Sequence, residues 1–194
     1  MINKQLNKFN IILGSASTRR KELLSDIGLK FSIQTTDKEE TYPNNLATDK
    51  IAEFLAHQKS NILSKKLCED DLLITADTIV LLNEEVLHKP KDKSDAYKIL
   101  NKISNNTHKV ITGVCIKNIN KEIVFSVTSF VTFRKLKKNE IEFYINNFNP
   151  LDKSGAYGIQ DWIGKIGVKN INGSYTNIIG LPLSETYENI KLFI

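Results

Sequence analysis

Nowhere does the chain reach the roughly 20 consecutive apolar residues that a bilayer-spanning helix needs, so no membrane span is expected. Cysteine is scarce. Cys68 and Cys115 stand in no CxxC or other metal-ligand spacing, which argues against a disulfide framework and points to reduced thiols. The opening MINKQLNKFN has no apolar core of the kind a signal peptide carries, and this makes the cytoplasm the expected compartment. Missing as well are a GxxxxGK[ST] phosphate loop, a GxGxxG opening a helix, the Asp-x-Asp of phosphatases that form an aspartyl-phosphate, and the glycine that an aspartic protease needs after Asp-Thr. There is no internal repeat, no low-complexity linker, no basic tail and no aromatic-interleaved basic stripe.

What is present suffices for a folded enzyme-sized domain. The chain has 194 residues, 41% of them hydrophobic, enough to bury the core of one domain or of one domain with two lobes. Its net charge of +5 comes from scattered lysines, a pattern that suits a phosphorylated small molecule as well as nucleic acid.

The most organised stretch is Ile11 to Ile27, IILGSASTRRKELLSDI. A short apolar run breaks into Gly14, Ser15, Ala16 and Ser17 and then turns helical, with Leu23, Leu24 and Ile27 on one face. Ser17 reads as the N-cap and Gly28 as the C-terminal cap of a helix from about Thr18 to Ile27. Arg19, Arg20 and Lys21 then crowd the positive end of the helix dipole, an unfavourable placement that an anion would reverse. Small residues, a helix N-terminus and two guanidinium groups together describe a phosphate site, with a solvated basic turn as the other reading.

Further along, Phe31 to Gln34 alternates like a strand and leads into TTDKEETYPNN, whose Asp37, Glu39 and Glu40 could give a hard oxygen ligand to Mg²⁺ or Mn²⁺ or simply be solvated. Leu46 to Leu67 reads as a long helix with Lys59 near its middle, and His57 there as a packing or surface histidine. Asp71 to Leu82, DLLITADTIVLL, reads as central strand. A carboxylate within such a run is costly unless it is paired or bound to a cation, so Asp77 is the leading functional candidate; the alternative is that Asp77 caps a bend while Thr78 bonds to backbone. Pro90 holds Lys89 at an exposed turn. A helix over Asp95 to Ile103 with Ser94 as its cap, an antiparallel hairpin of Lys109 to Lys117 with Glu122 to Arg134, and helices over Glu140 to Phe148 and Leu183 to Phe193 complete the reading. The last third is rich in glycine, which suggests backbone close to a ligand or unusual turns.

Taken in order, Gly14-Ser15-Ala16-Ser17-Thr18-Arg19-Arg20, Ala76-Asp77-Thr78, Lys89-Pro90, the Asp152 to Gln160 run DKSGAYGIQ, and Gly173-Ser174-Tyr175-Thr176-Asn177 with Gly180-Leu181-Pro182-Leu183 resemble the Maf family of nucleoside triphosphate pyrophosphatases. The resemblance covers nearly the whole chain. It implies an α/β fold, a twisted mixed β-sheet with flanking helices and two lobes around a central cleft, in a cytoplasmic protein that forms a homodimer. It also implies hydrolysis of a nucleoside triphosphate to monophosphate and pyrophosphate with Mg²⁺ or Mn²⁺. On that resemblance Asp77 is the proton acceptor and a metal neighbour, Glu40 supplies the other metal carboxylate, and Lys59 and Lys89 neutralise the triphosphate, with Ser15, Ser17, Arg19 and Arg20 as further substrate-binding residues. Arg19, Thr78 and Gln160 match positions that select the base, and the Asp152 to Gln160 run is similar to the branch acting on dTTP and UTP. Thr18 stands where the family usually has proline, and Glu39 competes with Glu40 for the metal role. A non-hydrolysing nucleotide- or nucleic-acid-binding factor that influences septum formation is the alternative reading.

Overall fold

Asp71–Leu82 is buried along almost its whole length, which explains why its sequence is a near-continuous apolar run rather than an alternating one. In the computed structural model, which describes residues 8–38 and 40–194, this strand is central to a mixed seven-stranded sheet with flanking helices. The elements in chain order are β1 (Asn10–Leu13), α1 (Thr18–Asp26), β2 (Ser32–Ile33), α2 (Ile51–Leu63), β3 (Asp71–Leu82), β4 (Glu85–Val86), α3 (Lys93–Ile103), β5 (Thr107–Lys117), β6 (Glu122–Phe133), α4 (Lys138–Asn147), α5 (Trp162–Gly167), β7 (Val168–Asn172), α6 (Tyr175–Ile179) and α7 (Leu183–Lys191), with 3₁₀ turns at Thr48–Lys50, Ser64–Lys66 and Ser154–Ala156. The sheet order is β2-β1-β3-β5-β6-β7, with β4 added on β3. β1 runs parallel to both β2 and β3, pairing Leu13 with Ile33 and with Ile74, while β7 is antiparallel to β6. Among the described residues no helix is long and apolar enough to cross a membrane.

The sequence-based elements hold, with shifted ends. α1 starts on Ser17, whose hydroxyl accepts from the Arg20 amide, and Gly28 follows its end at φ 76°. The helix expected over Leu46 to Leu67 is α-helical only in its middle, because both of its ends tighten into 3₁₀ turns. α3 begins two residues earlier than expected. Asp92, not Ser94, is its cap, since the Asp92 carboxylate accepts from the Asp95 amide at 2.8 Å. β5 and β6 are neighbours joined at Asn118 to Lys121, where the Asn118 side chain accepts from the amides of Asn120 and Lys121. So short a connection between neighbouring strands requires an antiparallel pair. α5, β7 and α6, in the glycine-rich last third, were not expected as separate elements.

The chain divides into two compact units. The first holds the described residues up to Asp77 together with Thr112–Val127 and Gly180–Ile194. Leu13, Leu24, Ile51, Leu72, Leu73 and Ile74 are fully buried in it. At Gly113 a Cβ would lie 2.3 Å from the Ala52 backbone, so α2 sits directly on β5 and only glycine fits between them. The second unit, Thr78–Ile111 with Thr128–Ile179, has its own core around Leu100, Ile103, Phe133, Tyr144 and Ile163. His108 is sealed into that core against Phe133 and Tyr157, its Nε2 at 2.8 Å from the Tyr157 hydroxyl.

Two predictions follow from this packing. Gly113→Ala forces a methyl group into the backbone of α2, and we expect a loss of about 2 to 3 kcal/mol in chemical unfolding; an unchanged midpoint would contradict the packing described. Burial pushes the His108 imidazole down to about 4 from its ordinary 6.5. The unfolded chain then takes up a proton that the folded chain refuses, so stability falls as pH drops from about 6.5 toward about 4, by on the order of 3 kcal/mol. Thermal melts of the parent and His108→Gln across that window should converge at low pH, and parallel curves would remove His108 as the cause.

Candidate active site

The site begins where β1 ends. Gly14 donates its amide to the Ile74 carbonyl at 2.8 Å, which holds the turn into α1 against β3 in register. The turn then ties itself together: the Ser15 hydroxyl accepts from the Ser17 amide at 3.2 Å and from Arg20 Nη1 at 3.1 Å. Arg20 Nε donates to the Gly180 carbonyl at 2.8 Å, and the residue is only 9% exposed. Its pKa is lowered by burial, while the carboxylates of Asp77 and Glu40 attract it and Arg19 repels it. An arginine so placed keeps its charge, because its ordinary value lies far above neutrality. Arg19, the preceding helical residue, is half-buried. The two arginines expected as a phosphate clamp thus stand differently, Arg20 as an internal tie and Arg19 at the surface of the turn.

On β3, Thr75 donates its hydroxyl to the Ala56 carbonyl of α2 at 2.7 Å. This pins helix to strand, and Lys59 lies one helical turn further on, where it meets Asp77. The Lys59 ammonium donates to Asp77 Oδ1 at 2.6 Å, to Glu40 Oε1 at 2.9 Å and to the Ala76 carbonyl at 3.4 Å. The side chains of Lys59 and Asp77 are each 12% exposed, whereas that of Glu40 is half exposed. Burial raises the Asp77 carboxyl above the usual carboxylate range, against the opposing pull of Lys59 and Arg20 and with a further push from Glu40. Two carboxylates and one ammonium therefore meet at a single point of the first unit, so Asp77 does not cap a bend. Glu40 reaches this point, and Glu39 lies outside the described residues.

Glu40 and Asp77 offer hard oxygen donors, the set that suits Mg²⁺ or Mn²⁺. Among the described residues no group of three or more His, Cys, Asp or Glu could hold a metal. Two carboxylates fit a cation that completes its shell with water and substrate phosphate oxygens, as Mg²⁺ commonly does. The residues present therefore fit the metal that the sequence resemblance implies.

Thr78, Lys89 and Gln160 belong to the second unit. The Asp152 to Gln160 run is stitched to two neighbours there: the Ser154 hydroxyl donates to the Thr78 carbonyl at 3.4 Å, and the Gly155 amide donates to the Leu87 carbonyl at 3.0 Å, two residues before Lys89. Gly155 and Ala156 both have positive φ, 73° and 58°, so a buried alanine is held in a conformation that glycine tolerates and alanine resists. Beyond this turn the Tyr144 hydroxyl donates to Asp161 Oδ2 at 2.7 Å and accepts from the Gly158 amide at 3.3 Å. Lys153 donates to the Asn149 carbonyl and to Asp152. Gln160 is held between these anchors, half-buried, with an Oε1 that has no hydrogen-bond partner among the described residues. Lys89 is exposed beside buried Pro90.

Sequence reasoning did not find the anchors Tyr144, Lys153 and Asp161. It also missed Ser129, whose hydroxyl accepts from the Ser174 amide and from Asn177 Nδ2 and donates to the Ser174 carbonyl, fixing the start of α6. The presence of Lys153 and Asn177 inside quoted motifs was the available signal, but the Asn177 side chain bonds Ser129 and Val110, 48 and 67 residues away in sequence.

Comparison with known proteins adds an independent finding. The family described as Maf-like protein matches residues 10–193. The dTTP/UTP pyrophosphatase of Flavobacterium psychrophilum is 44% identical over 187 residues, which cover 96% of this chain and 96% of that protein. The dTTP/UTP pyrophosphatase of Phocaeicola vulgatus is 46% identical over 189 residues, covering 97% and 98%, and that of Flavobacterium johnsoniae is 41% identical over 194 residues, covering the whole of both. A crystal structure of a nucleoside-triphosphatase / dITP/XTP pyrophosphatase from Mycobacterium abscessus superposes with a TM-score of 0.42 at 11% identity, over 66% of this chain and 76% of that one, a likeness too low to carry an argument.

The internal role of Arg20 is open to a direct check. Arg20→Lys keeps the charge and loses the planar fork that spans Ser15 and Gly180, so the unfolding free energy should fall by about 2 kcal/mol. A midpoint equal to that of the parent in urea would show that the guanidinium is not a structural tie.

Proposed function

The chain belongs to the Maf family, and from that premise we propose that it is a nucleoside triphosphate pyrophosphatase that hydrolyses dTTP and UTP to the monophosphate and pyrophosphate. The full-length likeness to relatives bearing that name carries the reading. The non-hydrolysing septum factor is not favoured.

In the proposed reaction a water molecule attacks the α-phosphorus, the bond from that phosphorus to the oxygen bridging toward the β-phosphate breaks, and pyrophosphate leaves. Asp77 takes the proton of the attacking water. A carboxylate with an ordinary pKa is a weak base at neutral pH, and burial moves Asp77 in the useful direction. Phosphoryl transfer otherwise asks the protein for positioning and charge stabilisation. Arg19, Arg20, Lys59 and Lys89 supply positive charge for the triphosphate, with Ser15 and Ser17 shaping the turn on which the arginines stand. Thr78, Gln160 and Arg19 select the base, and the unpartnered Oε1 of Gln160 leaves that side chain with hydrogen-bonding capacity for it. Glu40 and Asp77 would hold Mg²⁺ or Mn²⁺, which when bound polarises phosphate oxygens and makes bound water more acidic. Homodimer formation and a cytoplasmic location complete the proposal.

A panel of nucleoside triphosphates assayed for monophosphate and pyrophosphate tests it: dTTP and UTP should be the preferred substrates. Asp77→Asn should reduce pyrophosphate release by about 100-fold or more, since that is the least a positioned general base contributes. Unimpaired turnover in that variant would remove Asp77 from the role of base.

A further inference from the structure

The pairing of Lys59 with two carboxylates suggests more than a phosphate ligand awaiting substrate. Its ammonium lies within 2.9 Å of one oxygen of Glu40 and one of Asp77, with the Ala76 carbonyl oxygen at 3.4 Å. Three oxygens around one compact cation are the surroundings that a hard metal ion would take, and the two carboxylates are the ones proposed to hold the metal. We infer that Lys59 keeps the divalent cation's place in the free protein, so that the metal binds well only together with the triphosphate. This inference rests on the pyrophosphatase reading for its ligands.

The argument is electrostatic. A metal ion entering between Glu40 and Asp77 while Lys59 remains there would face a positive charge about 3 Å away in a largely water-excluded spot, a repulsion that low dielectric amplifies. The lysine must therefore leave, and without another anion it gives up two charge-assisted hydrogen bonds for none. Mg²⁺ also sheds its hydration water reluctantly, so metal alone gains little by the exchange. An incoming triphosphate changes the balance, because its oxygens accept the displaced ammonium and complete the metal's shell at once. Lysine suits such an exchange better than arginine would, being a point charge on a flexible four-carbon stem. Burial favours it too: with Asp77 nearly enclosed, an uncompensated carboxylate there would be costly, and Lys59 compensates it until the metal arrives.

The test uses Mn²⁺ alone, titrated into the full-length protein without nucleotide and followed by the electron paramagnetic resonance signal of the free ion. Lys59→Met should bind Mn²⁺ at least about tenfold more tightly than the parent, because the two carboxylates lose their resident cation. Lys59→Arg, which keeps a positive charge, should stay near the parent. Equal or weaker Mn²⁺ binding by a folded Lys59→Met overturns the inference. A measurement on the parent protein covers the case in which the variants do not fold. The ¹⁵N resonance of the Lys59 ammonium should stay in place as Mg²⁺ alone is added to millimolar concentration and should move when a non-hydrolysable triphosphate analogue follows; tight Mg²⁺ binding that leaves the resonance unmoved overturns the inference. Absence of pyrophosphate release from every nucleotide tried would sink the pyrophosphatase reading while the metal titration still decides the exchange at Lys59.

Discussion

The contact on which most of the first unit depends is the 2.6 Å pair between Lys59 and Asp77. A carboxylate in the middle of a twelve-residue strand that is buried along almost its whole length would be excluded from a core unless a cation met it there. Meeting it requires that α2 lie at one height along β3. The Thr75 hydroxyl on the Ala56 carbonyl sets that height, and Gly113 lets β5 approach the same helix closely enough to hold it from another strand. Packing around Leu13, Leu72, Leu73 and Ile74 thus has a functional consequence: it fixes where Lys59 can reach. The pair is also a place where the fold gives up stability, since burial raises the Asp77 carboxyl even with two cations near it. A protein selected only for stability would carry an apolar residue at that position.

A comparable arrangement governs the second unit, with backbone in place of charge. The Asp152 to Gln160 run makes a turn through Gly155 and Ala156 that is locally unfavourable, and it persists because neighbours over-determine it. Ser154 on Thr78, Gly155 on Leu87, and Tyr144 with Asp161 beyond the turn leave the segment one conformation. Under the proposed function such rigidity would serve base selection, because discrimination between similar rings is lost if the selecting side chain can move to suit either.

Most of the architecture was legible in the sequence because its elements announce themselves locally. The apolar run of β3, the Ser17 cap, the Gly28 stop and the amphipathic α2 each follow from residues within one or two turns of chain. Where neighbouring residues offer rival caps or the pattern has no period, reading failed. Asp92 caps α3 although Ser94 has an equally suitable side chain, and α5, β7 and α6 hide in a glycine-rich stretch without a clear period. Asp77 was legible because a carboxylate in an apolar strand violates a rule. Its partners were not, since 18 residues separate Lys59 from it and the loop holding Glu40 has no regular structure. The family resemblance supplied those residues, and the geometry then brought Glu40, Lys59 and Asp77 to one point.

The paired arginines show how one short motif can divide its labour. Consecutive residues on a helix point about 100° apart, so Arg19 and Arg20 cannot face the same way. Arg20 turns inward onto Ser15 and Gly180, and its charge acts from a fixed position on Asp77 and Glu40. A charge held by the fold before a ligand arrives needs no reorganisation when one does, and this is the condition under which electrostatic stabilisation is most effective. Arg19 is half-buried at the first turn of α1. The unfavourable crowding of cations at a helix N-terminus is thereby eased in part, because one of the two guanidinium groups is absorbed into the structure, and an anion at the same helix end would ease it further.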